Sequence, residues 1–294
     1  MTAGAPWPPG GWPEQGLGLM RLAEAPGDDD RDPAALVRTA VELGVVLLDT
    51  AELYGNEELV GRALGGVRDQ VLLCSKFGVY RGPSGRFDDW HVRADAATVR
   101  TAVEGSLRRL GGEALDLYYL HHRSDATPVE ETVGAMAELV QQGKVRALGL
   151  SGVRADDVRR ARAVHPVAAV QEAWSLARRE VEALLPVLAE GGTALVAHSP
   201  LDHGDVLGGA AGPLTAALRE TAAALGATTG QVALAWVHER GRRAGLPVVP
   251  LPGTTRASRL RENAVAARLA LPGEVLARLD AVSAAPVHDG DGPA

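Results

Sequence analysis

The chain has 294 residues, 46% of them hydrophobic and 23% charged, with a formal net charge of -7. That composition excludes a disordered or fibrous chain, and the negative balance excludes broad attraction to phosphate backbones, so no nucleic-acid partner is expected. A lone cysteine, Cys74, excludes an intramolecular disulfide, and no apolar run approaches the ~20 residues of a membrane span, so a soluble cytoplasmic protein with no membrane partner is expected.

Residues 1–15, rich in Pro and Gly, read as a flexible tail. Gly16-Leu-Gly-Leu-Met20 supplies a first short strand. Asp28-Asp-Asp30 reads as a solvated turn. Asp32-Pro33 places a capping residue before proline at the first helical position, and Gly44 closes that helix. Strand-sized apolar runs follow at Val45–Leu48 and Val71–Cys74. Val99, Val103, Leu107 and Leu110 recur at helical spacing and lead into a further run, Leu115–Leu120. Thr127-Pro-Val-Glu130 matches a capping box, with Val133, Met136 and Val140 along the helix it would start. Runs at Val145–Leu150, Val167–Val170, Ala194–Ala197 and Pro247–Leu251 complete the set, and residues 286–294 read as a second flexible tail. Each run is nearly continuous in hydrophobicity, as in strands buried on both faces of a parallel sheet. Eight strands alternating with helices over about 250 residues fit a single (β/α)8 barrel domain across residues 16–285. A doubly wound open sheet predicts nearly the same pattern, and periodicity leaves both architectures open.

The motifs that are missing narrow the chemistry. G-x-G-x-x-G does not occur, because Gly16 and Gly18 lack the third glycine, and Gly143-Lys144 lacks the upstream glycine of a P-loop. H-E-x-x-H, a cysteine pair and G-x-S-x-G are absent too, so neither a metal site nor a hydrolase nucleophile is expected. A nucleotide would have to be held by something other than a glycine-rich turn.

Barrel active sites gather at the C-terminal ends of the strands. Asp49 ends one run, Tyr54 lies five residues further, Lys76 follows Cys74-Ser75, and His121 ends Leu115–Leu120. Lysine occurs only at Lys76 and Lys144 in a chain with 30 Lys plus Arg. Singly, each residue admits a structural role: a turn residue, a packing aromatic, an ion-pair partner, or one of a hydrogen-bonded His121-His122 pair. Together at one rim they suit proton donation by tyrosine. A phenol ordinarily titrates at about 10, and a neighbouring ammonium is expected to lower that value. Asp49 would hold Lys76 charged, and His121 would fix the substrate oxygen or relay the proton. Such a set fits carbonyl reduction by hydride from a bound nicotinamide.

Leu48-Asp-Thr-Ala-Glu-Leu-Tyr-Gly55, Ser75-Lys-Phe-Gly78 and Asp116-Leu-Tyr-Tyr-Leu-His121 resemble the three catalytic motifs of the aldo-keto reductase superfamily, with similarity from Gly16 to Asp280. Asn56-Glu-Glu58, Gly143-Lys-Val-Arg146 and Trp90-His-Val-Arg93 resemble its bacterial-type members. The resemblance implies a (β/α)8 barrel that binds NADPH in extended form, with Tyr54 as general acid, Lys76 and Asp49 tuning it, and His121 orienting the carbonyl. It further implies that Ser151 and Gln171 hold the nicotinamide amide, beside Gly152 where the family often has Asn. His198, Ser199 and Leu201 match a Tyr-Ser-Pro-Leu segment, with histidine in place of the stacking aromatic, and Asp202-His-Gly-Asp205 stands where many members carry Gly-Arg-Gly. In Pro252–Asn263, which resembles the segment gripping the adenosine end, Gly253 and Thr254 meet phosphate, Arg259 the 2′-phosphate, and Glu262 with Asn263 the adenine. Arg256 stands in for a lysine often found nearby. Trp90 and Met20 are implied walls of the substrate pocket. The implied partner is a small aldehyde or ketone, and the implied state is a monomer or weak homo-oligomer. Two rivals stand beside this reading: a nucleotide-binding sensor or partner-binding barrel with little turnover, and a Schiff-base lyase using Lys76.

Overall fold

The computed structural model describes residues 7–24, 28–84, 86, 89–204 and 212–283. Eight strands pair in parallel around one sheet: β1 (Gly16–Gly18), β2 (Leu47–Asp49), β3 (Leu72–Phe77), β6 (Leu115–Leu120), β7 (Val145–Ser151), β8 (Ala169–Ala173), β9 (Ala194–His198) and β10 (Val248–Leu251). Two short strands, β4 (Val79–Arg81) and β5 (Trp90–Val92), form a separate antiparallel hairpin above β3. The sheet closes between its first and last strands. Gly18 N donates to Pro252 O at 3.1 Å, and Gly18 and Gly253 form a parallel bridge. The architecture is therefore the (β/α)8 barrel and not the open sheet.

Ten helices accompany the strands among the described residues: α1 (Pro33–Glu42), α2 (Glu57–Leu64), α3 (Ala96–Leu110), α4 (Val129–Gln141), α5 (Ala155–Val164), α6 (Leu185–Glu190), α7 (Pro213–Leu225), α8 (Thr229–Ala244), α9 (Ala257–Ala264) and α10 (Gly273–Ser283). At α1 the capping residue works as the sequence predicts, Asp32 Oδ2 accepting from Ala35 N at 2.7 Å with Pro33 at the first position. The capping box expected at Thr127 does not form. Ser124 Oγ takes the amides of Ala126 and Thr127 at 3.1 Å each, and Pro128 becomes the cap without a side-chain bond. No helix among the described residues is long and apolar enough to cross a membrane.

Two apolar layers follow from the strand alternation. Side chains of one parity fill the barrel interior, among them Leu47, Cys74, Leu117, Tyr119, Val196 and Val249. Those of the other parity, such as Leu48, Leu73, Tyr118, Leu148 and Leu195, pack outward against the helices. Period-two geometry carries the inner column upward from Leu47 to Asp49, from Cys74 to Lys76, and from Tyr119 to His121. Trp7 and Trp12 meet edge to face at 5.1 Å and pack against the inner layer, where the strands start. That part of the segment read as a tail is seated because two indoles find apolar surface there. Residues 1–6 and 284–294 lie outside the described residues.

Candidate active site

Asp49, Lys76, Tyr54 and His121 converge at the C-terminal rim of β2, β3 and β6. Asp49 and Lys76 are almost fully buried and ion-paired, Nζ to Oδ1 at 2.5 Å. Lys76 Nζ also donates to Thr50 O at 3.2 Å and to Tyr54 Oη at 3.2 Å. Gln171 Nε2, from β8, donates to the other Asp49 oxygen at 3.0 Å. The ring of Tyr54 stands perpendicular to that of His121, centroids 5.8 Å apart. Tyr54 closes a short 3₁₀ turn, Glu52–Tyr54, and Gly55 at φ 68° lets the chain reverse there.

The loop bearing Tyr54 is anchored from below. Thr50 Oγ1 donates to Asn56 Oδ1 at 2.7 Å, and Asn56 Nδ2 donates to Leu19 O at 2.7 Å, tying the loops after β2 and β1 together. Glu57 is buried, accepting from Ser75 Oγ at 2.6 Å and from Arg109 Nε at 2.7 Å. The sequence marks Asn56 and Glu57 only as part of a resemblance. Their partners stand on other elements, so spacing carries no signal of them.

Burial is the largest single influence on Asp49, Lys76 and Tyr54, and it sets the direction for Asp49 and Tyr54. It pushes the Asp49 carboxyl up against the pull of Lys76. Burial alone would lower Lys76, but the charge and hydrogen bonds of Asp49 and Tyr54 outweigh it, and the ammonium is held above its usual value. For Tyr54 the expectation of a lowered value is corrected. Burial raises the phenol more than Lys76 lowers it, and Asp49 adds to the rise. The phenol therefore holds its proton at neutral pH.

A cavity of about 360 Å³ opens beside this cluster. Asp49, Tyr54 and Gln171 line it together with Met20, His198, Ser199, Pro200 and Leu201, and it continues to Gly253, Thr254, Arg256, Arg259 and Asn263. Ser199 and Asp202 adopt left-handed φ of 49° and 46°, and Asp202 pairs with Arg178 at 2.8 Å. Asp205 of the same loop lies outside the described residues. Asn263 is buried, and its Nδ2 has no hydrogen-bond partner among the described residues. Ser151 ends β7 and is buried, while Trp90 stands on the hairpin with its ring 5.0 Å from His122. The His122 ring fills the space beside Gly152, where an added Cβ would lie 2.4 Å from His122 Cδ2.

Two side chains have partners that the sequence does not announce. Glu262 accepts from Thr228 Oγ1, the cap of α8, at 2.8 Å, while its other oxygen faces Arg259 Nε at 3.5 Å. Asp30, in the short 3₁₀ turn Asp29–Arg31, stays partly exposed to solvent but also has partners: its carboxylate accepts from Ser258 N and Oγ, both at 2.7 Å, and pairs with Arg256 at 3.1 Å. Arg21 and Arg256 line the cavity as well.

Comparison with known proteins matches residues 15–284 to the model of the aldo/keto reductase family. An aldo/keto reductase from Klebsiella pneumoniae solved with NADP and acetate is 32% identical, with a TM-score of 0.78, over 95% of this chain and 94% of that chain. Its NADPH complex gives 32% identity and a TM-score of 0.78 over 95% and 93%. An aldo-keto reductase from Bacillus halodurans, in a holo form, is 27% identical with a TM-score of 0.76 over 94% of each chain. A family match over nearly the whole barrel, on a chain that folds as the solved members do, leads to one conclusion: this chain belongs to the aldo/keto reductase family.

Proposed function

We propose that this chain is an NADPH-dependent reductase of aldehyde or ketone carbonyls in which Tyr54 is the general acid. The observation that carries the reading is Tyr54 Oη within 3.2 Å of a Lys76 ammonium that Asp49 holds at the cavity wall. The cavity suits a dinucleotide. It runs from the Tyr54 cluster to the start of α9, and it ends on the unpartnered amide of buried Asn263, a donor suited to a purine nitrogen. The relatives from Klebsiella pneumoniae were solved with NADP and NADPH, which supports the same cofactor here. His198, Ser199, Leu201 and Gln171 would flank the nicotinamide half, and Gly253, Thr254, Arg259 and Asn263 the adenosine half. The bound cofactor supplies a hydride to the carbonyl carbon.

This chain's residues account for the proton. Tyr54 Oη gives its proton to the carbonyl oxygen as negative charge develops there. The phenolate left behind is stabilised by Lys76, which donates a hydrogen bond along the contact already present. Asp49 and Gln171 keep that ammonium in place. His121, across the Tyr54 ring, limits the directions from which a carbonyl oxygen reaches Oη. An ammonium held above its usual value has no lone pair to attack a carbonyl, which argues against a Schiff base at Lys76.

The test compares wild type with Tyr54→Phe for NADPH oxidation across aldehydes, ketones and diketones, with NADPH affinity measured in parallel. Turnover is expected to fall by about 10²–10⁴-fold with affinity kept, the range for loss of a general acid. A variant that keeps its turnover removes Tyr54 from this role, and a wild type that does not bind NADPH removes the cofactor.

A further inference from the structure

Asp30 and its neighbours, between β1 and α1, reach across to the start of α9. Asp30 Oδ1 accepts the Ser258 amide at 2.7 Å, and Oδ2 accepts the Ser258 hydroxyl at 2.7 Å and Arg256 Nη1 at 3.1 Å. Asp28 Oδ2 lies 3.9 Å from the same guanidinium nitrogen. The Ser258 amide, first among these contacts, keeps Asp30 below the usual carboxylate range, so it is charged at neutral pH.

The contacts matter because of where they fall. The first amides of a helix carry partial positive charge and favour anions, and Ser258 is the second residue of α9. Two guanidiniums line this end of the cavity. That of Arg256 is taken by Asp30, while Arg259 Nε lies 3.5 Å from Glu262 Oε2. Part of the donor set that a phosphate monoester would use at this helix start, Arg256 Nη1 and the Ser258 amide and hydroxyl, is thus already paired with a carboxylate of the chain itself. A ribose hydroxyl differs from the monoester: it can donate to a carboxylate and brings no negative charge to repel it.

We propose, resting on the cofactor reading above, that Asp30 is a specificity-determining residue whose carboxylate competes with the 2′-phosphate for Arg256 and Ser258. It thereby narrows the chain's preference for NADP(H) over NAD(H). Neither the acidic run nor the helix start shows this separately. It follows from their bonding to each other at the edge of a cavity lined by arginine.

The experiment is titration of NADP⁺ and NAD⁺ against wild type, Asp30→Asn and Asp30→Ser, following protein fluorescence at low and high salt. Circular dichroism confirms that each variant is folded. The ratio of Kd for NAD⁺ to Kd for NADP⁺ is expected to rise about tenfold in Asp30→Ser, with NAD⁺ affinity changed far less. The gain should shrink at high salt, because charge repulsion is screened. Asp30→Asn keeps the side chain's size and should shift the ratio in the same direction. An unchanged ratio, or a loss of NADP⁺ affinity in both variants, overturns the inference by making Asp30 a support for Arg256 and not a competitor. In that case wild-type NADP⁺ binding still stands and the cofactor reading survives. A wild type that binds neither dinucleotide overturns both.

Discussion

Lys76 and Asp49 illustrate how a single buried pair couples stability to chemistry. Each charge is tolerated in the interior because the other is 2.5 Å away and because Thr50, Tyr54 and Gln171 satisfy the remaining sites. Removing one partner strands the other. Lys76→Met should therefore lose about 3–5 kcal/mol, and adding Asp49→Asn should restore most of it, because no uncompensated charge then remains. Urea unfolding at neutral pH reads both, and equal losses in the single and double variants would show that the pair is not the source. The residues of this cluster were legible in the sequence because each ends, or closely follows, an apolar run. Asp30 was not, since its partner Ser258 lies 228 positions away and an acidic run looks like any solvated turn. Nor could the phenol's raised value be read, because burial decides it and the sequence shows only the neighbouring ammonium.

Among the elements, α2 and α3 approach so closely that their backbones meet. A Cβ on Gly61, in the middle of α2, would lie 2.6 Å from the carbonyl oxygen of Leu110, the last residue of α3. In an exposed helix Gly→Ala stabilises by about 0.5–1 kcal/mol. At Gly61 the sign reverses, and Gly61→Ala should destabilise by about 1–3 kcal/mol through overpacking. Thermal or urea unfolding reads the sign directly, and a rise in Tm would show that the helices part without penalty. The barrel strands and the long helices were visible from hydrophobic runs and from caps such as Asp32. The β4–β5 hairpin was not, for each strand is three residues long and Val79 is the one fully buried side chain in the pair. The capping box at Thr127 failed for a local reason. Ser124 claims the nearby amides first, and Pro128, with φ -56° and ψ 139°, holds the chain extended until Val129.

At the scale of the molecule, one buried base makes acid stability predictable. His238, on α8, has its imidazole depressed to about 4, by burial first and then by the charge of Arg242. Between the ordinary value of about 6.5 and that folded value, the unfolded chain takes up the proton and the folded chain does not. Stability is thus lost as pH falls through this window, by up to about 3 kcal/mol, and the contribution flattens below it. His238→Leu should remove this part of the slope, seen as the difference between variant and wild-type unfolding free energies across the window. Parallel slopes would show that the imidazole is not responsible. The closed barrel was itself only half legible. Strand periodicity fits an open sheet as well, and closure rests on Gly18 meeting Gly253, two glycines whose encounter no local pattern announces.

The scarcity of lysine has a practical corollary. One of the two side-chain amines is sealed in the interior against Asp49. The other, Lys144, is partly exposed beside Glu104 and directly precedes β7, on the face from which the strands start. A linker joined to Lys144 would tether the barrel by the face opposite its cavity, so a molecule held through this side chain would present its mouth outward.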